Sequence, residues 1–119
     1  MALDLTHTAS IFKTDILSAV KNVTRKDLPA AAGFAQSQLQ SLAQQSALVA
    51  GMIEANAFTA AEQIFYLDGL EQMAKGLAQT VIQVIEIEIE KLINAVVSAI
   101  YDAINSVAGV ALVAPRVAA

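Results

Sequence analysis

Apolar residues recur along most of this chain at steps of three and four, the spacing that lines up one face of an α-helix. From Ser10 they fall at Phe12, Ile16, Ala19 and Val23, with Ser10 placed to cap the first turn, which predicts a helix over about 10–24. Residues 1–9 place Leu3 and Leu5 among Asp4, Thr6, His7 and Thr8, and are expected to be an extended arm. Asp27-Leu28-Pro29 is a helix-start signature, because aspartate caps and a proline in the first turn gives up an amide that has no partner there. A second helix is expected over about 28–55, on the stripe Leu28, Ala32, Ala35, Leu39, Leu42, Val49 and Ile53, broken at Ser46. Gln36, Gln38, Gln40, Gln44 and Gln45 fill much of its remainder, and between Asp27 and Glu54 there is no ionisable side chain. A helix so weakly charged is expected to meet neighbours on more than one side, with its glutamines free for hydrogen bonds between helices.

Ala55-Asn56-Ala57-Phe58 supplies a turn, and Thr59-Ala60-Ala61-Glu62 is a capping box, in which hydroxyl and carboxylate each accept from the other residue's amide. With no proline before Pro115, the third helix is expected to run over about 60–107, roughly 70 Å at 1.5 Å per residue. Gly69 and Gly76 are its weak points, each costing about 1 kcal/mol relative to alanine. Its broad apolar face carries Leu67, Leu70, Ala74, Ala78, Val81, Ile82, Ile85, Ile89, Leu92, Val96, Ile100 and Val107. Lys91, Asn94, Ser98, Asp102 and Asn105 form the opposing polar ridge. Ile85-Glu86-Ile87-Glu88-Ile89-Glu90 also alternates with the period of a strand, but the helical spacing continues on both sides with no turn between, which favours helix. Phe65, Ile87 and Tyr101 fall off the main face, which suggests a second contact surface and a central helix surrounded by others. Gly109 is placed to end the helix, and 109–119 is an apolar tail that either straps a neighbouring subunit or packs on its own domain.

These patterns predict an all-α protein of three helices with an N-terminal arm and a C-terminal tail, a single helical domain over 1–119, its bundle completed by oligomerisation. Composition sharpens that expectation. Hydrophobic residues make up 56% of the chain and charged residues 15%, against roughly 45–50% and about 25% in ordinary soluble domains. So much apolar surface must be covered by other subunits or by lipid. The candidate oligomer interface is Val81, Ile82, Ile85, Ile87, Ile89, Leu92, Val96, Ile100, Tyr101 and Val107.

Net charge is −4, which argues against phosphate-driven nucleic-acid binding. Residues 1–29 carry net +1 and residues 50–107 net −6, so head-to-body attraction between copies is conceivable. Lys21, Arg25 and Lys26 cluster where cations complement a helix C-terminus. Glu71 and Glu88 fall within the apolar face, as buried polar contacts with Lys75 and Lys91 at helical spacing, or as acids lining an oligomer's channel.

Candidate chemistry is sparse. The chain has no cysteine and one histidine, His7, in the expected arm. No glutamate is followed three residues later by histidine, as a helical di-metal centre requires, and no glycine-rich phosphate loop is present. No catalytic residue, cofactor or metal is therefore expected. The N-terminus lacks the pattern of a secretory signal, so an intracellular or particle-associated location is the default. Ala95–Ala114 has the length of a membrane span with Asp102 as its only charge, but the polar ridge and Gly109 make it an amphipathic helix instead. The sequence thus favours a self-associating structural subunit, by composition alone similar to small helical components of virions and secretion assemblies. A membrane-active amphipathic protein is the alternative.

Overall fold

The computed structural model describes residues 5–24, 33–83 and 87–115, and among them the protein is all-α, with four helices and no strand. Helix α1 spans Leu5–Thr24, α2 Gly33–Glu54, α3 Ala60–Val81 and α4 Ile89–Ala108. The Asp27-Leu28-Pro29 start, Arg25, Lys26, Ile85, Glu86 and the last four residues of the tail lie outside the described residues.

The described part of the expected arm is helix. Thr8 and Ala9 are buried, and with Phe12, Ile16 and Val20 they extend one face at steps of three and four. Thr8 reads as polar in sequence, yet its methyl and small volume let it join that face. Val20, rather than Val23, continues it through the last turn.

Helix α2 buries Leu39, Leu42, Ala43, Ser46, Ala47, Val49, Ala50 and Ile53, a band wide enough to meet α1, α3 and α4. Gln36, Gln38, Gln40 and Gln44 are exposed, so they solvate the helix rather than bridge to neighbours. Its end is closed by local geometry. Asn56 has φ 54°, a left-handed conformation that asparagine tolerates better than most side chains, and the Ala57 amide donates to the Met52 carbonyl at 2.9 Å. Then the Thr59 amide donates to Glu62 Oε1 (2.9 Å) and the Glu62 amide to Thr59 Oγ1 (3.1 Å), the reciprocal box that the sequence spells out.

The single helix over 60–107 is not formed. Helix α3 ends at Val81 with Ile82 as its cap, residues 87 and 88 are not helical, and α4 begins after Glu88, whose backbone is extended. The break falls at neither glycine, since Gly69 and Gly76 lie inside α3. It falls among Thr80, Val81, Ile82, Ile87 and Ile89, β-branched residues that lose side-chain freedom in a helix. Burial decides the outcome. The longest dimension of the molecule is 40 Å, and folding back lets the α3 face from Leu67 to Val81 pack on α4. Each large side chain so covered contributes about 1.5–3 kcal/mol, more than the few exposed helical hydrogen bonds given up at the junction.

Helix α4 buries Leu92, Ile93, Val96, Val97, Ile100, Tyr101, Ala103 and Ile104, while Lys91, Ser98 and Asp102 of the polar ridge are exposed. α2 and α4 touch each other, and each also packs on both α1 and α3, which leaves α1 and α3 along opposite edges. Gly109 ends α4 in the left-handed region (φ 69°). The tail then turns back on its own chain: Asn105 Nδ2 donates to the Leu112 carbonyl (2.9 Å) and the Leu112 amide donates to Asn105 Oδ1 (2.8 Å). Val110, Leu112 and Ala114 pack against the core while Ala111, Val113 and Pro115 are exposed, so the described tail covers its own bundle.

Candidate docking surface

Helix α3 is only half covered. Its buried residues, Leu67, Leu70, Ala74, Leu77, Ala78, Thr80 and Val81, start in the second turn and hold to one side. Before them, Ile64, Phe65 and Tyr66 are 69%, 67% and 40% exposed. Three successive residues cover 200° of a helix's circumference, so this turn projects past the bundle on most sides. The Phe58 and Tyr66 rings stack with centroids 4.9 Å apart, and Phe65 meets Tyr66 edge-on at 5.3 Å. Phe58 is half-buried against the core and holds the Tyr66 ring in place, while Phe65 and Tyr66 face solvent, with Glu62 and Asp68 one turn to either side of Phe65, both exposed.

Farther along α3, a groove of about 190 Å³ opens against the start of α2. Met73, Gly76 and Leu77 form one wall and Ser37, Gln38 and Ser41 the other, which also shows that α2 and α3 run antiparallel. A Cβ built at Gly69 or Gly76 would meet nothing within 4 Å, so none of the described residues requires glycine at either position.

The residues expected to join copies of the protein are mostly used within it. Val81, Leu92, Val96, Ile100 and Tyr101 are core, and Ile82, Ile87, Ile89 and Val107 are partly buried against that core. Glu88 is exposed at the α4 N-terminus, and Glu71 is half-buried. Burial raises the Tyr101 hydroxyl above the usual phenolic range, with further contributions from the carboxylates of Glu71 and then Asp68 on the facing helix. Phe65 stands off the main face in both the sequence pattern and the structure, whereas Ile64, Tyr66 and Phe58 join it on this surface without any such mark in the periodicity. The sequence signal for them is the run Ile64-Phe65-Tyr66 itself, because no single core contact can cover three consecutive bulky residues on a helix.

Among the described residues, no three His, Cys, Asp or Glu side chains are grouped to hold a metal ion, and no helix is long and apolar enough to cross a membrane. No protein-family model, curated protein or solved structure matches this chain.

Proposed function

We propose that the protein is a non-enzymatic structural subunit that works by association, foremost with copies of itself. The observation that carries this reading is the projecting, solvent-facing cluster of Ile64, Phe65 and Tyr66, held by the stack of Tyr66 on the half-buried Phe58. Aromatic side chains dominate the energetic centres of protein interfaces, and ordering these rings beforehand lowers the entropy lost on docking. The four helices already cover one another, so association joins finished bundles instead of completing a partial one. The chain-wide surplus of apolar over charged residues suits a subunit of a larger particle of the virion or secretion-apparatus kind. Membrane activity by α4 is the weaker reading, because its apolar side is buried among three helices and the bundle would have to open.

Sedimentation velocity and native mass measurement across the micromolar range, without detergent, test the proposal. A mass above that of the monomer, rising with concentration, is the expected result. A constant monomer mass throughout would overturn it.

A further inference from the structure

Projecting α3 on a helical wheel places Phe65, Gly69, Gln72 and Gly76 along its outer side at steps of four, three and four. Phe65, Gly69 and Gln72 are exposed, and Gly76 borders the groove. This line joins a protruding ring at one end to a recess at the other. The recess is open, with Met73, Gly76 and Leu77 as its apolar wall, and in volume alone it is of the order that holds an aromatic ring, roughly 150 Å³ for benzene. Met73 adds a thioether, which makes favourable contacts with aromatic rings. Eleven residues, about 16 Å, separate Phe65 from Gly76, so the ring of one protomer cannot reach its own groove along a straight helix.

We propose that α3 pairs antiparallel with α3 of a second copy about a two-fold axis, the Phe65 ring of each copy entering the groove over Gly76 of the other. This deepens the self-association reading and rests on it. Setting Phe65 opposite Gly76 puts the axis between Leu70 and Glu71, and the same register fixes the charges. Asp68 and Lys75 share one flank of α3, and across the axis they lie within two residues of level, about 3 Å. Two Asp68–Lys75 pairs therefore form, one per symmetry-related half. Glu62 lies level with the uncharged Gln79 on the other flank, and the two Gln72 amides come close to the axis, where each can donate and accept. A parallel arrangement would instead set Phe65 against Phe65 and carry the Asp68–Lys75 flanks to opposite sides of the interface, so that neither charge pair forms and both grooves stay empty. The contact is isologous and closes at two copies. It also gives the two glycines a purpose, for each costs the isolated helix about 1 kcal/mol and a Cβ at either would meet none of the described residues.

Sedimentation equilibrium on the full chain and on a set of variants tests the register. The wild type is expected to form a dimer. Phe65→Ala should weaken the dimer by about tenfold or more. Gly76→Leu should weaken it comparably by filling the groove, while its melting temperature stays at or above that of the wild type, because the new side chain grows into open space. Asp68→Lys and Lys75→Asp should each weaken the dimer, and the double variant Asp68→Lys/Lys75→Asp should restore it. Association that survives Phe65→Ala and Gly76→Leu unchanged, or singles that are not rescued by the double swap, would overturn this pairing and leave self-association through another surface. A monomer at every concentration would overturn both.

Discussion

Ser46 sits in the middle of α2 fully enclosed by the core, and its hydroxyl has no hydrogen-bond partner among the described residues. A hydroxyl stripped of water without a replacement bond costs on the order of 1–3 kcal/mol, and serine is also a poorer helix former than alanine. Ser46→Ala should therefore stabilise the protein by about 1 kcal/mol, seen as a higher urea midpoint at unchanged slope. A lower midpoint would show that the hydroxyl is satisfied. Tyr101 makes a prediction in pH. Its folded-state pKa lies above the ordinary value near 10, so on raising the pH the unfolded chain loses the phenolic proton first. The stabilisation is complete below about pH 10 and is lost as pH climbs from there through the raised folded value. Tyr101→Phe should flatten this alkaline loss, measured as unfolding free energy against pH, and an equally steep loss in the variant would remove Tyr101 as its cause.

Elements with local signals are legible in the amino-acid sequence. The Thr59–Glu62 box starts α3, Gly109 ends α4, and Lys91, Ser98 and Asp102 line the exposed ridge, because capping and amphipathic spacing are decided within a few residues. The α3–α4 junction is not legible there. The spacing on both sides of Ile85 to Glu90 favours one continuous helix, and the break is set instead by the gain from folding Leu67–Val81 onto Leu92–Ile104, a contact between positions far apart in sequence. The same limit explains the interface residues. Periodicity says that the faces of Val81, Leu92, Val96 and Ile100 are covered without saying by what, and here the cover is the protomer's own helices. On the candidate surface, Phe65 is readable as a residue standing off its helix's main face. The groove is not, because its walls come from Ser37–Ser41 and Met73–Leu77, more than thirty residues apart.

As a whole, the molecule closes its core by layering two helices on a central pair. Its radius of gyration, 13.7 Å, is close to the roughly 13–14 Å expected for a compact chain of this length. The excess of apolar residues is absorbed chiefly by α2 and α4, each bounded by three other helices, and what remains outside is a run of three on α3, Ile64 to Tyr66, with Leu48 and Met52 on α2 and Val113 in the tail. That arrangement also sets the order in which the bundle can form. α2 and α3 are joined by only five residues, whereas 64 residues of chain separate α1 from α4, and closing the longer loop carries the larger entropic cost. The α2–α3 hairpin should then be present in the folding transition state and the α1–α4 seam largely absent. In stopped-flow chevrons, Leu77→Ala should slow folding, while Ile16→Val should speed unfolding and leave the folding rate within about twofold, and the opposite allocation would contradict this order. The α1–α4 seam, closed last and opened first, then governs how long the native bundle survives once formed.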